Sequence, residues 1–148
     1  MKIRNSLKFR FLYTALTLSL VLTACSGDDD EAVKDLIKPT GTITMPLEGE
    51  TFLRGSSIIF EGTFSDDVEL AHCELSLSKL KSLKGWDIPW TPESDLVHLQ
   101  GTEDEVSAYQ AFKQVIPSDI MSGDYVLNAK LVDEAGNYIV YSVNVKIY

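Results

Sequence analysis

Five carboxylates fall in two short, turn-like stretches: Asp66, Asp67 and Glu69 in Ser65-Asp66-Asp67-Val68-Glu69-Leu70, and Asp133 and Glu134 in Asp133-Glu134-Ala135-Gly136-Asn137. Hard oxygen donors of this type suit Ca²⁺, which gathers roughly six to eight of them. The expectation is a calcium-stiffened junction where the two turns meet. The alternative is that these residues are solvated turn acids, since no EF-hand spacing is present. A second candidate is Trp86 and Trp90 in Lys84-Gly85-Trp86-Asp87-Ile88-Pro89-Trp90. Two nearby indoles can form a platform for sugar rings or an anchor for a protein. They can equally pack on the domain and pin a long loop.

Catalytic chemistry finds little support. His72 and His98 are the only histidines, and two isolated imidazoles match no zinc or metalloprotease spacing. No Gly-x-Ser-x-Gly elbow or Cys-His arrangement occurs. Cys73 alternates with Leu75 and Leu77, which reads as a small core residue rather than a nucleophile. A glycosidase pair of carboxylates needs a cleft, and a lone small β domain seldom has one. The chain reads as a non-enzyme.

The elements that would position these groups have period two. Thr40–Met45 reads as a first strand, followed by a turn at Pro46-Leu47-Glu48-Gly49-Glu50. In residues 57–64, Ile58, Phe60, Gly62 and Phe64 share a face. In residues 71–78, Ala71, Cys73, Leu75 and Leu77 oppose His72, Glu74, Ser76 and Ser78. A long irregular stretch over 79–95 precedes a short strand at 96–100 and a longer one within 106–116. The mixed parity of that longer strand points to a bulge. Residues 124–132 and 138–148 form a hairpin, with Tyr125, Leu127, Ala129 and Leu131 facing Ile139, Tyr141, Val143, Val145 and Ile147 across the core side. Gly136 supplies a positive φ in its turn. Seven strands and no helix after Cys25 give an all-β, antiparallel sandwich, immunoglobulin-like or fibronectin-III-like. In such a sandwich the two acidic turns lie at the end where the chain enters.

The first 24 residues carry a different pattern. Lys2, Arg4, Lys8 and Arg10 precede an apolar run over residues 11–24, the layout of a secretory signal peptide. That run of about 14 residues falls short of the ~20 that span a bilayer. Its removal takes four of the 13 Lys+Arg residues and none of the 22 Asp+Glu, leaving a net charge near −13. This excludes nucleic acid and anionic lipid surfaces as electrostatic partners. The remainder is one domain's worth of chain, with no second free cysteine to pair with Cys73 once Cys25 is used.

Leu22-Thr23-Ala24-Cys25 resembles the lipobox of bacterial lipoproteins, which implies cleavage before Cys25 and its acylation, including a palmitate-type chain. Several acyl chains hold a protein firmly on a bilayer where one does not. Ser26, Gly27, Asp28, Asp29, Asp30 and Glu31 resemble the export signal of Bacteroidetes surface lipoproteins, which implies the outer face of the outer membrane; an acidic, self-repelling tether is the plainer reading. Gly123-Asp124-Tyr125-Val126-Leu127 resembles a tyrosine corner, against a simple buried tyrosine at a strand start. The two acidic turns, Ile116-Pro117-Ser118-Asp119 and the last strand together resemble the domain of unknown function 4625 family over most of residues 38–148. The expected organisation is signal peptide 1–24, lipidated Cys25 and tether to 38, and sandwich 39–148. Two functions follow as expectations. One is a surface-exposed binding or adhesion module for glycan or protein. The other is an accessory subunit docked on another envelope protein, which needs an apolar sheet face rather than exposed tryptophans.

Overall fold

Period-two alternation resolves into eight strands in the computed structural model, which describes residues 34–80 and 88–148. The expected signal peptide, Cys25, the acidic stretch through Glu31, and Trp86 lie outside the described residues. The strands are β1 (Thr40–Met45), β2 (Glu50–Phe52), β3 (Ile59–Ser65), β4 (Leu70–Lys79), β5 (Asp95–His98), β6 (Glu103–Gln110), β7 (Gly123–Asp133) and β8 (Tyr138–Ile147). One sheet has the order β1-β3-β6, the other β2-β8-β7-β4-β5. That pairing is the immunoglobulin and fibronectin-III arrangement of strands A-B-E against a sheet built on C, F and G.

Eight strands replace the expected seven because the first strand is split between the sheets. β1 runs antiparallel to β3, from Thr40↔Ser65 to Met45↔Glu61. Pro46, which has no N–H to donate, begins the turn in which Glu50 Oε2 accepts the Leu47 N–H at 2.7 Å. The chain then joins the other sheet, where β2 pairs in parallel with β8 from Glu50↔Val145 to Phe52↔Ile147. Three residues are too few to display alternation, and the partner lies at the far end of the chain.

The core lies between the sheets. Tyr125, Leu127, Ala129 and Leu131 of β7 are fully buried, as are Cys73 and Leu75 of β4 and Ile58 and Phe60 at β3. A fully buried Leu or Phe side chain contributes about 1.5–3 kcal/mol relative to exposure. Gly62 is required by packing, because a Cβ there would sit 2.8 Å from the Thr42 carbonyl and 2.9 Å from the Phe64 ring. The expected irregularity within 106–116 is a bulge followed by a turn. Phe60 pairs with Tyr109 but Gly62 pairs with Val106, so Ser107 and Ala108 together oppose Glu61. Ala108 takes φ 50°, and its N–H donates to Glu61 Oε1 at 3.1 Å. A one-turn 3₁₀ segment, Ala111–Lys113, then ends the strand.

Tyr125 begins the inward-facing row of β7, and its hydroxyl sits in the dry interior. There it donates to the Met121 carbonyl at 2.5 Å and accepts the Trp90 N–H at 3.2 Å. This is the bond pattern of a tyrosine corner, closing the loop before β7 onto the strand itself. The same oxygen also fixes the far end of the 80–90 connection. Tyr125→Phe leaves two buried backbone groups without a partner, so we expect a loss of about 1–3 kcal/mol, measured as a lower urea midpoint with an unchanged denaturant slope.

Candidate functional site

The sheet topology brings three chain segments to one apex. β3 ends at Ser65, and Asp66 opens the turn to β4 by accepting the Val68 and Glu69 N–H groups on Oδ2, both at 3.0 Å. β7 ends at Asp133, which keeps the inward parity of Leu131 and is therefore buried, at 2% exposure. The hairpin turn that follows holds Asp133 on both oxygens. The Asn137 N–H donates to Oδ1 at 2.7 Å, and Asn137 Nδ2 donates to Oδ2 at 2.9 Å. Gly136, at φ 86°, makes that tight return possible. The two turns are joined by the Glu134 N–H donating to the Glu69 carbonyl at 3.0 Å.

The third segment is Asp35, just before β1. Its Oδ1 accepts the Ile37 N–H at 2.9 Å, and its carbonyl accepts from Asn137 Nδ2 at 3.3 Å. Carboxylate oxygens of Asp35, Asp66 and Asp133 lie within 4.8 Å of one another. Asp35 Oδ2 and Asp66 Oδ1 are buried and have no hydrogen-bond partner among the described residues. Among the described residues none of the three carboxylates has an ion-pair partner. The structure thus unites Asp66 and Asp133 of the sequence-derived set and adds Asp35. Asp67, Glu69 and Glu134 are exposed and stand outside the group. The compact unit spans Lys34–Tyr148 and includes Asp35, a residue that composition alone assigns to the tether.

Of the two tryptophans only Trp90 lies among the described residues, and it takes the packed alternative. Trp90 is 6% exposed and meets Phe112 edge-on, with centroids 5.7 Å apart and planes at 74°. Its ring is core, so it offers no surface to a ligand. Phe112 and Lys113 adopt positive φ values of 63° and 52°, a conformation that non-glycine residues seldom take. Buried Asp95 holds them there. Asp95 Oδ2 accepts the Phe112 N–H at 2.8 Å and the Tyr109 hydroxyl at 2.9 Å, while Lys113 Nζ lies 3.1 Å from Oδ1. These contacts raise the Lys113 pKa. The Tyr109 pKa is also raised, first by desolvation and then by Asp95. Each group of this node is satisfied by another, as in a structural latch.

The two histidines, distant in sequence, are directly opposite each other across β4 and β5. They stand on the outer face of the five-stranded sheet, in one row with Val132 and Tyr138. The next row holds Leu96, Glu74, Lys130 and Val140. Tyr138, Val140 and Leu96 are each about half exposed, at 50%, 49% and 46%. The Lys130 ammonium lies 4.8 Å from the Tyr138 ring centroid, within cation–π range. On the outer face of the other sheet, an open depression of about 600 Å³ is lined by Thr40, Thr42, Thr63, Ser65, Glu103 and Glu105 among others.

Cys73 points into the core beside these elements. Burial, helped by Glu74, pushes its thiol up to about 12. The native thiol therefore keeps its proton where the unfolded thiol loses it. Stability from this group is full below the unfolded value near 9, and it declines as pH rises from there toward about 12. At pH 9 we expect iodoacetamide to alkylate native Cys73 on the order of 100-fold more slowly than the urea-unfolded chain, as read by mass spectrometry. Equal rates would contradict the burial.

No curated protein sequence matches this chain. Among solved structures, one titled "Structures of Clostridium thermocellum CbhA fibronectin(III)-like modules" is similar at a TM-score of 0.41 and 17% identity, over 73% of this chain and 94% of that one. A family model described as Domain of unknown function (DUF4625) matches residues 23–148. With a match over most of its length, on a two-sheet sandwich, the chain belongs to the DUF4625 family.

Proposed function

We propose that this chain is a lipid-anchored, surface-exposed outer-membrane protein whose sandwich is a non-catalytic module that docks a protein partner. The observation that carries the docking reading is the outer face of the five-stranded sheet, where Tyr138, Val140 and Leu96 stand half-exposed on strands registered through β7 and β4. Apolar and aromatic groups interleaved with a few charges are the make-up of a protein interface. With residues 1–24 removed, 9 Lys+Arg against 22 Asp+Glu give a net charge near −13, which favours a partner whose contact surface is rimmed by basic residues. A glycan platform made by both tryptophans is less well supported, because Trp90 belongs to the core. The anchor and the address rest on Cys25 and the acidic stretch that follows it.

Two experiments test this reading. A photo-crosslinking side chain at Ser142, next to Val140 on the proposed face, should give one discrete adduct in cells. Leu96→Glu/Val140→Glu should abolish it, and a crosslinker at Thr42 on the opposite sheet should give none. No adduct from Ser142, or an equal one from Thr42, sinks the docking face. Separately, Cys25→Ala should remove metabolic palmitate labelling and shift the protein out of the membrane fraction. Unchanged labelling and partition would refute the anchor.

A further inference from the structure

The apex carboxylates have an inventory that the protein alone does not balance. Asp35, Asp66 and Asp133 place oxygens within 4.8 Å of one another, and like charges so close repel. One oxygen of Asp35 and one of Asp66 already accept backbone N–H groups, and Asp133 is held on both oxygens by Asn137. The remaining oxygens, Asp35 Oδ2 and Asp66 Oδ1, are shielded from solvent although their residues are only half-buried, and among the described residues they accept nothing. Buried polar atoms almost always have a partner, and an orphan commonly marks an ion or water site. Here both orphans belong to the same three-carboxylate group.

We infer that Asp35, Asp66 and Asp133 bind one divalent cation of the calcium class. Carboxylate oxygens are hard donors suited to Ca²⁺, and flexible geometry with a few waters completes its shell. Mg²⁺ demands a stricter octahedron and gives up water reluctantly. Asn137 prepares the site by fixing Asp133 and the Asp35 carbonyl together. The three ligands come from the segment before β1, the β3–β4 turn and the end of β7. The cation therefore ties the entering chain to both apex turns, and its loss frees that segment.

The test uses the full-length chain purified in detergent, with CaCl₂ or MgCl₂ alone as titrant. Calorimetry should show one saturable Ca²⁺ site per chain, and the melt should occur at a higher temperature in excess Ca²⁺ than in EDTA. Asp35→Asn should weaken Ca²⁺ binding at least tenfold. Its melt in EDTA should equal or exceed that of the unsubstituted chain, since removing one of three crowded charges relieves repulsion. A merely structural Asp35 would instead lower the EDTA melt and leave the affinity unchanged. Identical melts in Ca²⁺ and EDTA with no heat of binding overturn the site. Ca²⁺ binding unaffected by Asp35→Asn overturns the ligand set, and a Mg²⁺ response as large as that to Ca²⁺ overturns the class.

Discussion

Much of this fold converges on one oxygen atom. The Tyr125 hydroxyl is buried between the sheets, donates to Met121 and accepts from Trp90. Through Met121 it sets the angle at which the chain enters β7, the strand that pairs with both β4 and β8. Through Trp90 it fixes the end of the 80–90 connection, and Trp90 in turn meets Phe112. Phe112 is held by Asp95 at the edge strand β5. A polar group this deep is tolerated only when its hydrogen-bonding capacity is used, and here using it joins three connections that are remote in sequence.

The two ends of the domain are built on different chemistry. Around Tyr125 and Trp90 the closure is mainly aromatic, and its charges are the Lys79 ammonium, 4.7 Å from the Tyr125 ring centroid, and the Asp95 and Lys113 pair. At the apex it is made of carboxylates, backbone N–H groups and the Asn137 amide. Asp95 and Asp133 are the two buried acids among the described residues, and they differ in what surrounds them. Asp95 meets a lysine and a tyrosine. Asp133 meets an asparagine and lies among other acids. The first is complete as it stands, whereas the second shares its neighbourhood with two oxygens that have no partner among the described residues.

What was legible in the sequence was whatever had a local period. β7 and β8 alternate over ten residues or more, and their inward faces follow from parity alone. The turn at Gly136 was legible for the same reason, since only one residue there takes a positive φ readily. β2 was not, because it is three residues long and its partner is the last strand. Asp35 was not, because its role depends on a meeting with Asn137, 102 residues away. The opposition of His72 and His98 depends on register across β4 and β5, which a connection of irregular length hides. Asp66 and Asp133 were legible as candidates because both stand where a core strand ends. Which of the neighbouring acids would turn away required the turn geometry itself.

The split first strand has a mechanical consequence. Force applied to the N-terminal segment first meets the bond from Asn137 to the Asp35 carbonyl and then reaches Thr40, the first rung of β1, opposite Ser65. Directed along β1, that pull acts on the pairing with β3 in shear, so the rungs through Met45↔Glu61 share the load instead of opening in sequence. Beyond Pro46 the chain crosses to β2, whose parallel rungs to β8 belong to the other sheet. Tension arriving at one end of the chain is thus divided between both layers of the sandwich before any hairpin can peel.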